Sequence, residues 1–193
     1  PGPRSPPVLA NPDRWNDSGK HFSCALDYFS PELSSRLYAK IGGFSYVPKD
    51  PGEPKCGTVY QDVPGSAQGV WVTRDYGDKE ILDTEDVAAL VHSNLDQSRG
   101  VFSFGSKITK VGIDNKSLLG FVPEKSGTRN LDFNLVTDDK VYCYTVTNDS
   151  RGEPYNKSVL IRLVDSTTLR IGITNSSCTG QSHKLDTYVE YIR

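Results

Sequence analysis

Apolar and polar positions change period once along this chain. Over SPELSSRLYAKIGG, from Ser30 onward, Leu33, Leu37 and Ile41 stand four apart and form one stripe of a helix. Ser30 is placed to cap it, Pro31 suits the first helical position, and Glu32 complements the N-terminal dipole. Arg36 and Lys40 sit in the second half, and Gly42 supplies the stop. The apolar stripe is expected to lie against a sheet.

Beyond Cys56 the period becomes two. GTVYQDV, GVWVTRDY, GVFSFGSKI, KVYCYTV, SVLIRLV, TTLRIGI and KLDTYVEYI are rich in β-branched and aromatic residues and are parted by Gly, Asn, Asp and Pro. Alternation is clearest where Leu169, Ile171 and Ile173 oppose Thr168, Arg170 and Gly172, and where Leu185, Val189 and Tyr191 oppose Asp186 and Glu190. Each such strand buries one face. DTEDVAALVHS reads either as a helix capped at Asp83 or Thr84 or as a buried strand, and strand is preferred. Short strands at this spacing, with no interleaved helices, predict a mostly β fold: an antiparallel sandwich or barrel with one short N-terminal helix.

The first twelve residues, PGPRSPPVLANP, hold five of the twelve prolines, which excludes helix and central strand and favours an extended arm. Residues 1–17 are therefore expected to form the arm and residues 18–193 one globular domain. Pro1 opens the chain where an initiator Met or signal peptide would stand, which reads as a processed terminus. Ordering such an arm costs roughly 1 kcal/mol per residue. Its few apolar handles, Val8, Leu9 and Trp15, balance that only narrowly, so they are expected to contact a neighbouring subunit.

Charge is nearly balanced, 22 Lys and Arg against 24 Asp and Glu, so no basic surface advertises nucleic acid or anionic lipid. No apolar run is long enough to predict a membrane span. Cys24, Cys56, Cys143 and Cys178 are widely spaced, without the local pairs of a zinc site, and read as two disulfides. Pairing Cys24 with Cys56 and Cys143 with Cys178 closes the shorter loops, although four cysteines allow three pairings. Asn16, Asn115, Asn148, Asn156 and Asn175 each open an N-x-S sequon. The last four fall in polar stretches that read as loops, and carbohydrate is expected on at least one. Cysteines and sequons together predict an extracellular, secreted glycoprotein.

Catalytic chemistry is harder to find. There is no G-x-S-x-G elbow and no cysteine left over after pairing, and only His21, His92 and His183 are available as bases. His92, at a strand end near several carboxylates, is given no role. Asp62, Asp75, Asp132 and Glu190 do not define a hydrolytic pair. Asn94, Asp96 and Ser98 before Gly100 match a calcium loop poorly and read as an Asx turn, so neither a metal nor a cofactor is expected. Gly69-Val70-Trp71 resembles the Gly-x-Trp of lipocalin barrels, a resemblance that implies an eight-stranded barrel around a lipophilic ligand. Its position some seventy residues in, behind a helix, assigns Trp71 to ordinary core instead.

The leading expectation is a structural subunit of an extracellular homopolymer, filament or surface layer, with the arm on its neighbour and no enzymatic activity. The alternative is a secreted monomer binding a carbohydrate or small lipophilic ligand, with Tyr46, Tyr76 or Tyr155 as platforms.

Overall fold

A computed structural model describes residues 9–15, 24–40, 43–44, 47–48, 61–77, 81, 85–94, 96–113, 118–148, 154–180 and 182–193. A two-residue ribbon pairs β1 (Gly43–Phe44) with β2 (Val47–Pro48). The rest of the β structure is a closed barrel of β3 (Gly69–Thr73), β4 (Val87–His92), β5 (Gly100–Phe104), β6 (Leu118–Phe121), β7 (Val141–Asn148), β8 (Pro154–Asp165), β9 (Thr168–Thr174) and β10 (Val189–Ile192). Every strand pairs antiparallel with the next in sequence, and β10 returns to β3, so the eight strands form an up-and-down meander. Closure leaves the ring no terminal strand.

Period two in the sequence becomes inside and outside here. Trp71, Ala88, Leu90, Phe102, Leu119, Tyr144, Ile161, Ile171 and Tyr191 are buried together in one core. Phe102, Phe121, Phe133 and Tyr144 meet ring against ring, with centroids 4.8 to 5.7 Å apart. Gly100 makes this cluster possible, because a Cβ there would overlap the Phe121 ring across the β5–β6 pair. On the outer wall Cys143 and Cys178 form a disulfide, Cα–Cα 5.4 Å, packed with Leu160, Val141 and Leu185. Cys24 is also disulfide-bonded, and Cys56 lies outside the described residues.

Several strand boundaries differ from the pattern. Residues 61–63 of GTVYQDV are not strand. GSKI leaves β5 and enters a 3-10 helix, Ser106–Val111. β10 begins only at Val189, so Leu185 packs against the outer disulfide rather than in the core. β6, which the alternation does not reveal, is four residues long and carries Gly120 at its centre. VAALVH is a strand, β4.

The helix α1 (Pro31–Tyr38) begins as its caps dictate, with Leu33 N donating to Ser30 Oγ at 3.4 Å. It ends before Ile41, which is outside the described residues, and none of its side chains is buried. It packs on the 3-10 turn Ala25–Tyr28, where Ser34 Oγ donates to Leu26 O at 2.5 Å and Tyr38 donates to Asp27. Among the described residues no helix is long and apolar enough to cross a membrane.

Candidate functional site

The end of the barrel where β3 begins is here the base, and the end where it finishes is the mouth. Both are closed by side chains. At the base, the β6–β7 connection folds inward and buries Leu131, Phe133 and Val136, tied down by Ala67 N donating to Val136 O at 2.9 Å. Trp71 lies just inside, fully buried, its Nε1 donating to Ala67 O at 2.9 Å. The Arg193 guanidinium stacks 4.0 Å above the Trp71 ring and donates to Val63 O at 3.2 Å and to Gln68 O. Burial pulls the Arg193 pKa down to about 10, against the opposing charge of Asp62. Gly69-Val70-Trp71 thus stands on the first strand of an eight-stranded barrel, as the resemblance implied. Trp71 is part of the core, as its position in the chain led us to expect, and among the described residues none before 69 belongs to a barrel strand.

At the mouth, the 3-10 helix Ser106–Val111 forms a cap between Gly105 and Gly112, resting on β9 and β10. It drives Ile108, Val111 and the following Ile113 into the core. Among the described residues it is fastened by Gly105 N to Val87 O at 2.8 Å, Lys107 N to Glu85 O at 3.2 Å, Lys157 Nζ to Gly112 O at 3.1 Å, and an ion pair of Lys107 Nζ with Asp86 Oδ1 at 3.8 Å. Gly112 has φ +84°, the left-handed turn that lets the chain leave the cap. Beside Gly105 a hollow of about 330 Å³ is lined by Glu85, Val87, Ala89, Ser103 and Phe104. Below the cap, Tyr191 points inward from β10 with 1% exposure, and its hydroxyl has no hydrogen-bond partner among the described residues. Burial, with the charge of Asp86 nearby, pushes this phenol well above its ordinary pKa. Tyr144, also buried, differs in donating to Leu131 O at 2.9 Å.

A second, polar hollow of about 320 Å³ opens at the base between Gln61, Asp62, Val63, Gln68, His92, Asn94 and Gln97. Here sequence reasoning missed a pair: His92 Nε2 lies 2.8 Å from Asp132 Oδ1, and Lys125 Nζ lies 3.3 Å from Asp132 Oδ2. No local signal could reveal it, because the partners are forty residues apart. Burial alone would raise the Asp132 carboxyl, but the hydrogen bonds and charges of His92 and Lys125 outweigh it and hold the pKa below its ordinary value. A carboxyl depressed in the folded state adds stability that is fully present above its unfolded pKa, about 3.9, and is lost as pH falls through the folded value. Asp132→Asn is therefore expected to cost about 1 to 2 kcal/mol at pH 6 and progressively less between about pH 4 and pH 2. Urea midpoints across that range check it. A constant gap would show that the carboxylate charge is not what matters.

The remaining candidate residues disperse. Asp62 accepts from Val70 N at 2.8 Å and Ala10 N at 3.0 Å, and Glu190 pairs with Arg74 at 2.5 Å and Arg170 at 2.9 Å, so both are structural. Asp96 closes an Asx turn with Ser98 N at 3.2 Å. Among the described residues no three His, Cys, Asp or Glu side chains converge as metal ligands. Asn156 and Asn175 are exposed, but Asn148 ends β7 and Asn156 lies within β8, which starts earlier than its polar sequence implied; Asn115 is outside the described residues. His21, Tyr46 and Val8 are likewise outside them. Leu9 and Trp15 are half-buried, and the arm around them bonds to its own chain through Ala10 N to Asp62 and through Arg14 O, which accepts from Ile81 N at 2.9 Å. No protein-family model, curated protein or solved structure matches the chain.

Proposed function

We propose that this protein is a secreted carrier of a small, largely apolar ligand with one hydrogen-bonding group, held inside the barrel beneath the cap. The observation that carries the reading is the Tyr191 hydroxyl, buried with no hydrogen-bond partner among the described residues. Leaving such a group unsatisfied costs about 1 to 3 kcal/mol, which a ligand's polar atom would offset. The centre of the barrel is solid, since Trp71, Leu90, Phe102 and Tyr144 have no exposure. Room for a ligand therefore comes from the cap: swung outward on its glycines, it vacates the space of Ile108, Val111 and Ile113 directly above the aromatic floor. Gly-x-Trp on the first strand supports the same reading, because the barrels it resembles hold lipophilic ligands. A disulfide and no membrane-spanning helix among the described residues are compatible with an extracellular setting.

Assembly into a homopolymer is the second reading, favoured by Tyr28, Phe29 and Leu33, which are 80%, 48% and 38% exposed around α1. The arm weighs less in its favour than expected, because residues 9–15 bond to their own chain.

One variant tests the carrier reading. Tyr191→Phe removes the unpartnered hydroxyl, so it is expected to leave stability unchanged or raise it by about 1 kcal/mol, while weakening carbonyl- or hydroxyl-bearing probes roughly tenfold. The probes are small environment-sensitive fluorophores and long-chain alcohols competing with them, titrated into the purified protein, with molar mass followed by light scattering. Saturable binding to a monomer that Tyr191→Phe weakens supports the carrier. A mass that grows with concentration, without probe binding, supports assembly instead.

A further inference from the structure

We infer that the polar end of the ligand is an ammonium group, so that the mouth takes a small amphiphilic amine with Asp86 as its counter-ion. This rests on the carrier reading and deepens it. Tyr191 and Thr73 face each other across β10 and β3, and the pairing of Val72 with Val87 sets Asp86, the residue before β4, beside Thr73. All three keep the inward phase of their strands, Thr73 with Trp71 and Asp86 with Ala88 and Leu90. Phenol, hydroxyl and carboxylate therefore form one row across three strands at the mouth. Thr73 holds the carboxylate in place, its N donating to Asp86 O at 2.9 Å and its Oγ1 to Asp86 Oδ1. The Asp86 side chain is 16% exposed, and its charge reaches the Tyr191 hydroxyl.

The counter-charge comes from the cap itself. Lys107 Nζ lies 3.8 Å from Asp86 Oδ1, and among the described residues it is the one cation paired with that carboxylate. Asp86 Oδ2 accepts no hydrogen bond among them. Lys107 stands next to Ile108, so a cap that swings outward carries its ammonium away together with its apolar side chains. The open mouth is then an apolar basin with an uncompensated carboxylate fixed at its rim. Stripping a partly buried charge of its partner is costly. A ligand that restores the balance returns both things the cap withdrew, an alkyl body over the aromatic floor and a cation at Asp86. A primary ammonium does this and keeps a further N–H for the Tyr191 oxygen. A neutral alcohol fills the basin but leaves Asp86 unpaired, and a fatty acid sets a second negative charge beside it.

The test displaces an environment-sensitive fluorophore from the intact protein at neutral pH with octylamine, 1-octanol and octanoate. Octylamine is expected to bind roughly tenfold tighter than 1-octanol, and octanoate more weakly than either. Asp86→Asn keeps the shape of the side chain and is expected to erase the amine's lead. Lys107→Gln removes the rival cation but not the carboxylate, and is expected to preserve it. Circular dichroism checks both folds. Should Asp86→Asn not fold, salt titration of the parent protein replaces it, and the lead is expected to shrink as salt rises. Octylamine binding no tighter than 1-octanol, or a lead that survives Asp86→Asn, overturns the inference. If 1-octanol binds in that case and Tyr191→Phe weakens it, the carrier reading stands without the amine. If no probe displaces the fluorophore, both fall.

Discussion

Trp71→Ala is expected to destabilise the protein by about 5 kcal/mol, the largest single-site loss in the barrel. Truncating a fully buried Trp costs about 3 to 5 kcal/mol through lost transfer energy and the cavity left behind. Two further losses add to it here. Ala67 O loses the indole N–H that satisfies it, and the Arg193 guanidinium loses the ring face 4.0 Å away. Arg193 is half-buried, so part of its charge would face a void at the base. For a chain of this length, about 2 to 4 °C is lost per kcal/mol, and the melting temperature should fall by roughly 10 to 20 °C. Thermal and urea melts check this. A loss below about 2 kcal/mol would show that the base is held by the β6–β7 connection alone.

Gly69→Ala is expected to cost about 3 kcal/mol or more although it adds only one methyl group. Gly69 has φ +132°, a conformation that side-chain-bearing residues rarely adopt. A Cβ there would also overlap Asp62 Oδ1 and crowd the Arg193 Nη2 group, displacing the carboxylate that receives Val70 N and Ala10 N. Gly65→Ala is the control, since Gly65 also has positive φ, +77°, but faces open space. It should cost only about 1 kcal/mol. If the two variants melt alike, backbone strain and not crowding governs Gly69. The glycine and the tryptophan of the motif thus do different work at one junction: the first lets Asp62 and Arg193 approach β3, the second gives Arg193 its surface.

Strand content was legible wherever a strand is long and buried on one face. SVLIRLV lies within β8 and all but the first residue of TTLRIGI within β9, the strands with the most extensive pairing. LLGF escaped because four residues around a glycine carry too little alternation to register. GSKI misled in the opposite direction: Ile108 continues the apolar rhythm of Phe102 and Phe104, yet reaches the core from a cap rather than a strand. Leu185 failed for a related reason, since a second apolar cluster outside the barrel accepts it. Neither the mouth nor the His92–Asp132 pair could be read in advance. The mouth depends on a hydroxyl being left without a partner among the described residues, and the pair on side chains meeting from separate elements, both properties of packing and not of any window of sequence.

The ladder that closes the ring is also the one whose partners are farthest apart in the chain, joining Tyr191 to Thr73 and Ile192 to Val72. By contrast β7, β8 and β9 pair through neighbouring segments over most of their length. Loop-closure entropy then orders the folding process: the local hairpins form first, and the circle is completed last, over its longest loop. Until β10 arrives, β3 and β9 each present an unpaired edge, and the base lacks the cation that sits on Trp71. A nascent chain halted before residue 189 is thus an open, twisted sheet with two adhesive borders, and aggregation competes with folding in that interval.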